Sequence, residues 1–152
     1  MKPRISVRRA RPSDLGRILA IERAGFGVWA WDRKLFAEYT RTCGELFLVA
    51  LEGDKVIGYS ITCPPAGIFR RRAELVSIAV APAFRGKGAA DTLMTATLRR
   101  LMRRGITGIG LMVKVTNDRA RAFYERHGFR RVRQVPRYYE DGEDGLLFHR
   151  DF

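Results

Sequence analysis

Apolar and polar positions change period several times along the chain, and each change marks an element. Ile5-Ser6-Val7-Arg8-Arg9 alternates as a half-buried strand does. Leu15, Ile18, Leu19 and Glu22 then follow helical spacing behind Ser13, the expected cap, and this helix should end near Gly25. Trp29-Ala30-Trp31 leads to Asp32, a second cap, with Leu35, Phe36 and Tyr39 on one helix face. Residues 45–52 and 56–63 read as strands joined by Gly53-Asp54-Lys55, a hairpin signal. Pro64-Pro65 closes that pair, and 67–72 is a basic loop. A buried strand is expected over 74–80, followed by a helix carrying Leu93, Met94, Leu98, Leu101 and Met102 that stops at Gly105. A strand over 110–115 precedes Asn117, which caps a helix running to His127 with Gly128 as its left-handed stop. The last strands, 129–135 and 145–149, are split by the acidic turn Glu140-Asp141-Gly142-Glu143-Asp144.

This order is strand, two helices, three strands, helix, strand, helix, two strands. It predicts an α/β protein with a mixed, mostly antiparallel sheet flanked by helices and one central parallel strand pair. No repeat, linker or low-complexity stretch interrupts it. At 152 residues with 46% hydrophobic content, one globular domain over 1–152 is expected.

Composition narrows the class. Cys43 and Cys63 are too few for a disulfide framework and lack metal-ligand spacing with His127 or His149, so two reduced thiols and no metal are expected. No signal-like or membrane-length apolar run is visible, which points to a soluble cytoplasmic protein. The formal net charge of +13 favours anionic partners. Its densest cluster is Phe69-Arg70-Arg71-Arg72, with Arg99, Arg100, Arg103 and Arg104 at a helix C-terminus second. Two readings stay open: an arginine-rich solvated surface, or a route to nucleic acid through that surface.

The most specific segment lies between the 74–80 strand and the following helix. Pro82 turns the chain into Arg85-Gly86-Lys87-Gly88-Ala89-Ala90-Asp91 at a helix start, where free N–H groups and the helix dipole favour a phosphate. It is not a Walker A loop, because Lys87 is followed by Gly88 and position 81 is alanine. Nor is it a dinucleotide fingerprint, whose third glycine would stand where Asp91 is.

What remains, Arg-x-x-Gly-x-Ala from Arg85 through Gly88 to Ala90, resembles the pyrophosphate loop of the GNAT superfamily of acetyl-CoA-dependent N-acetyltransferases. Asn117, Ala120, Tyr124, Gly128 and Phe129 resemble that family's Asn-x-x-Ala-x-x-x-Tyr-x-x-x-Gly-Phe helix, and the element order matches the family over essentially the whole chain. Phe26 with Trp29 and Trp31, the stretch 78–82, the run 111–117 and Arg137-Tyr138-Tyr139 resemble the RimI-like branch. Its type member acetylates the α-amine of a ribosomal protein.

The resemblance implies acetyl-CoA as donor and the N-terminus of a protein or peptide, ribosomal proteins included, as acceptor. It assigns backbone contacts with the pantetheine arm to Ile78, Ala79 and Val80, and the pyrophosphate to Arg85, Gly86, Lys87, Gly88, Ala89, Ala90 and Asp91. Asn117 would reach the cofactor as well as cap its helix. Tyr124 would contact the cofactor and return a proton to the leaving thiolate, and Tyr138 and Tyr139 would line the amine pocket. The acids at 140, 141, 143 and 144 are either a solvated turn or a hold for a cationic substrate end.

An α-amine has a pKa of about 7.7–8.0, so most of it is protonated at neutral pH and a base is needed. The RimI-like glutamate falls at Met112, which cannot take a proton. Glu74 is the substitute base, with a surface pairing to Arg70, Arg71 or Arg72 as the alternative. Two further readings remain: a small amine or lysine side chain as acceptor, or a non-catalytic module whose basic surface binds RNA or the ribosome.

Overall fold

Two central strands buried on both faces organise the first part of the chain, and everything else there packs on them. The structure is a computed structural model that describes residues 4–27, 32–67 and 70–152. Its strands are β1 (Ile5–Arg9), β2 (Phe47–Glu52), β3 (Lys55–Cys63), β4 (Ala73–Val80), β5 (Gly108–Lys114), β6 (Arg130–Val135) and β7 (Gly145–Asp151). Its helices are α1 (Leu15–Phe26), α2 (Arg33–Thr42), α3 (Ala89–Arg103) and α4 (Asp118–Arg126). The strand order is β1-β2-β3-β4-β5-β7-β6, with β4 and β5 parallel and the other registered pairs antiparallel, as the element order predicted. The chain forms two compact units, residues 1–63 with 77–100, and residues 64–76 with 101–152.

In the first unit, Leu48, Ala50 and Ile57 pack against Ala89 and Leu93 of α3, joined by Ile78, Val80 and Phe84. Gly58 permits that approach, since a Cβ there would sit 3.0 Å from the Ala79 carbonyl oxygen. Elsewhere in this unit Phe36 of α2 meets Tyr59 edge-on, with ring centroids 5.6 Å apart. Asp32 caps α2 as expected, its Oδ1 accepting the Leu35 N–H at 3.0 Å.

In the second unit β5 and β7 pair along their whole length, from Gly108 with Asp151 to Lys114 with Gly145. The edge strand β6 shows exposed arginines at 130, 131 and 133, and charge of this kind discourages further pairing at a sheet edge. Asn117 caps α4 through its Oδ1, which accepts from the Ala120 N–H, and Gly128 follows the helix at φ +83°.

Three expectations are corrected or moved. Ser13 does not cap α1; residues 12–14 form a 3-10 turn whose Asp14 carboxylate accepts the Arg11 N–H at 2.7 Å. That carboxylate is buried and also takes two bonds from the Arg8 guanidinium, which hold its pKa below the usual range. Residues 44–46 form another 3-10 turn, so β2 begins at Phe47. Cys43 and Cys63 are not free thiols but a disulfide, with Cα atoms 4.9 Å apart. The tertiary fold brings the end of α2 beside the end of β3 across a separation of 20 residues, which no local spacing announces. Trp29, Trp31 and Phe69 lie outside the described residues.

Candidate active site

The glycine loop has the backbone that phosphate binding demands. Gly86 and Gly88 stand at φ +79° and +88°, a region that disfavours residues with a Cβ, and space is open around both Cβ positions. The first bond of α3 runs from Thr92 N–H to the Gly88 carbonyl at 3.0 Å, reinforced by the Thr92 hydroxyl at 2.8 Å. The N–H groups ahead of it are therefore not consumed by the helix. Lys87 Nζ lies 5.2 Å from the centre of the Phe84 ring, and Arg85 and Gly86 are exposed beside it. These residues fit a pyrophosphate by main-chain donation, with Lys87 and Arg85 adding charge.

On β4, parallel pairing with β5 is registered only for Ala73 with Ile109 and Glu74 with Gly110. Ile78, Ala79 and Val80 make no registered pair with β5, and all three are half-buried although β4 is an interior strand. The unit containing this loop holds the expected cofactor residues from 78 to 91. Asn117, Tyr124, Glu74, Tyr138 and Tyr139 belong to the second unit.

Within that second unit, Tyr124 packs its ring 5.6 Å from Phe129 and 5.4 Å from Phe123. Burial, with a smaller contribution from Tyr139, raises the pKa of its phenol above the ordinary value, so it keeps its proton throughout the working pH range. The Asn117 Oδ1 is occupied by its capping bond, leaving the amide Nδ2 as the group that could face a ligand.

Glu74 is half-buried on β4, and burial raises its carboxyl above the usual carboxylate range. No cation among the described residues pairs with it. Arg72, offered by the sequence as its surface partner, instead makes two bonds to Asp151, at 2.7 and 2.8 Å. The charge of Glu74 reaches Tyr138, whose phenol is pushed up first by burial and then by that carboxylate. Tyr138 and Tyr139 meet edge-on at 5.0 Å. Met112 leans over Gly145 beside Tyr138: a Cβ on Gly145 would come within 2.6 Å of the Met112 methyl and 3.1 Å of the Tyr138 Cβ. Glu74, Met112 and the tyrosine pair thus gather in one unit.

Most of the acidic turn serves the fold. Asp141 and Glu143 accept from Lys114 and Thr116, while Asp144 takes the Arg137 N–H and the Gln134 amide. Glu140 is exposed.

Sequence reasoning missed a buried polar chain in the first unit. The Tyr59 hydroxyl donates to Glu22 Oε2 at 2.9 Å and lies 3.1 Å from the Ser77 hydroxyl on β4. Glu22 is 2% exposed, and burial together with its charge pushes the Tyr59 pKa up. The signal was available: an acid at an apolar position of α1, spaced with Leu15, Ile18 and Leu19.

Residues 15–129 match the acetyltransferase (GNAT) family. The chain is 32% identical to an N-alpha-acetyltransferase of Saccharolobus solfataricus, covering 95% of this chain and 92% of that one. It is 30% identical to the [ribosomal protein bS18]-alanine N-acetyltransferase of Haemophilus ducreyi, with 83% of each chain covered. The crystal structure of Ard1 from Thermoplasma volcanium superposes with a TM-score of 0.89 at 24% identity, covering 97% of both chains, which shows the shared fold. A pyrophosphate-type glycine turn at the head of α3, the element order around it and these likenesses together place the chain in the GNAT family of acetyltransferases.

Proposed function

We propose that this enzyme transfers the acetyl group of acetyl-CoA to the N-terminal α-amine of a protein or peptide, ribosomal proteins included. The observation that carries the reading is the loop from Arg85 to Asp91, with its two left-handed glycines and uncommitted N–H groups. Of two relatives at 30% identity or more, one is named an N-alpha-acetyltransferase and the other a ribosomal-protein-alanine N-acetyltransferase, which supports the reading. Bound acetyl-CoA supplies the thioester carbonyl and a leaving thiolate. Gly86 through Asp91 hold the pyrophosphate by main-chain N–H groups, with Arg85 and Lys87 neutralising charge. The backbone of Ile78, Ala79 and Val80 receives the pantetheine arm, and Asn117 Nδ2 adds a donor.

The chemistry then requires three proton movements: two off the amine nitrogen and one onto the leaving sulfur. Glu74 removes the ammonium proton, directly or through one water; its burial suits it, because a raised pKa brings a carboxylate closer to the amine it must deprotonate. The amine nitrogen would bond to the carbonyl carbon as the C–S bond breaks, Tyr124 would give its phenolic proton to the thiolate, and the second proton shed by the nitrogen would return through water to the Tyr124 phenolate. Tyr138 and Tyr139 wall the amine pocket, and Met112 makes its floor apolar where the RimI-like enzymes have a carboxylate. That same thioether supports a second reading, a small amine or lysine side chain as acceptor.

A peptide array treated with labelled acetyl-CoA tests the proposal. Label on free N-termini, absent from N-terminally blocked peptides with internal lysines, is the expected result. Label confined to lysine or to small amines overturns the acceptor, and no label on any amine overturns the activity.

A further inference from the structure

A cavity among the described residues lies away from the glycine loop. It is an open cleft of about 510 Å³ lined by Arg8, Arg9, Ala10, Arg11, Pro12, Thr40 and Arg41, where the end of β1 meets the last turn of α2. Four arginines line this space. Asp14 pairs with Arg8, through bonds of 2.7 and 3.0 Å, and its charge also reaches Arg11 without forming an ion pair with that guanidinium. Among the described residues Arg9, Arg11 and Arg41 pair with no carboxylate, and all three are exposed.

Arg9 is held there by the absence of a side chain. A Cβ on Gly44 would lie 2.4 Å from Arg9 Nη2 and 3.1 Å from its Cζ, so the end of the Arg9 side chain rests against the turn between α2 and β2. Three arginines without an ion pair thus line one open cleft, and guanidinium geometry matches phosphate oxygens in pairs. The cleft is separate from the cofactor loop. Arg9 pairs with Leu48 near the start of β2, whereas the loop's Phe84 touches Lys55, which pairs with Glu52 at the other end. Four strand residues put about 14 Å between those positions.

We propose that this cleft binds successive phosphates of a single-stranded RNA segment, with Arg9, Arg11 and Arg41 as its contacts. An open, solvated site gains little from one small anion, because exposed charges are screened. A strand that engages several cations at once gains by releasing its own counterions. The inference stands apart from the acetyl-transfer reading and survives or fails without it.

The test is fluorescence anisotropy of a short labelled single-stranded RNA across a series of salt concentrations. Replacing Arg9, Arg11 and Arg41 together by glutamine should flatten the plot of log affinity against log salt by about 2, at roughly 0.7 per lost phosphate contact. Replacing Arg130, Arg131 and Arg133 by glutamine removes the same charge from β6 and should leave the slope near that of the parent. Gly44→Ala keeps every charge but displaces the end of Arg9, and should weaken RNA binding while the circular-dichroism melt stays cooperative. Equal flattening by both triple variants, or unchanged affinity in Gly44→Ala, would show diffuse charge and overturn the site. Competition by inorganic triphosphate without any RNA binding would overturn it too, in favour of a small polyphosphate ligand.

Discussion

Reducing the Cys43–Cys63 bond should cost this protein a measurable share of its stability. The bond closes a loop across a separation of 20 residues, tying the end of α2 to the end of β3. Loop-closure entropy for that length comes to about 3 kcal/mol at 25 °C. For a chain of this size each kcal/mol moves the melting midpoint by roughly 2–4 °C, so reduction should lower it by roughly 6–12 °C. The cleanest perturbation is reductant on the parent protein, since both sulfurs and their packing stay in place and only the cross-link is lost. Calorimetry with and without reductant reads the shift, and intact mass under non-reducing conditions reads the two hydrogens that the bond removes. A Cys43→Ser/Cys63→Ser variant should melt near the reduced parent and ignore reductant. Two free thiols in protein purified under air, or a midpoint unmoved by reduction, would refute the reasoning. Reducing compartments keep such pairs open, so protein taken directly from a reducing cytosol should start in the lower-melting form.

Three further outcomes test the site. Gly88→Val places a β-branched residue at φ +88°, costing about 1–2 kcal/mol of stability, and should also weaken acetyl-CoA binding in isothermal titration; unchanged affinity in the folded variant would remove the loop from the cofactor site. Tyr124→Phe keeps the ring stacked among Phe123, Phe129 and Phe148 but deletes its proton, so kcat should fall about 10²–10⁴-fold with little change in melting; an unaltered kcat would make Tyr124 a packing residue. Glu74→Gln should lose most activity near neutral pH, where the acceptor amine is protonated and needs a base, and the deficit should shrink above a pH of about 8. Adding Met112→Glu should return part of that activity, because it sets a carboxylate beside Tyr138; a Glu74→Gln enzyme that matches the parent at every pH would make Glu74 structural.

Much of this protein was determined locally and could be read from the chain. The Asp32 and Asn117 caps, the Gly53-Asp54 hairpin and the Gly128 stop depend on groups within a few residues of one another, so their chemistry is written in sequence order. The glycine loop belongs to the same class, because a positive φ at positions 86 and 88 is a backbone requirement that glycine meets by itself. What the sequence did not disclose depends on distance through space. The Cys43–Cys63 bond, the Glu22–Tyr59–Ser77 chain and the turning of Arg72 toward Asp151 rather than Glu74 join positions 18 to 79 residues apart. The arginine cleft is of this kind as well: Arg9 and Arg41 come together only once β1 lies against β2 and α2 ends above them. Periodicity tells each element which face to bury, but the partner opposite that face is chosen by packing. The charge state of a half-buried Glu74 or Tyr124 follows from that partner, and so was decided by the tertiary structure alone.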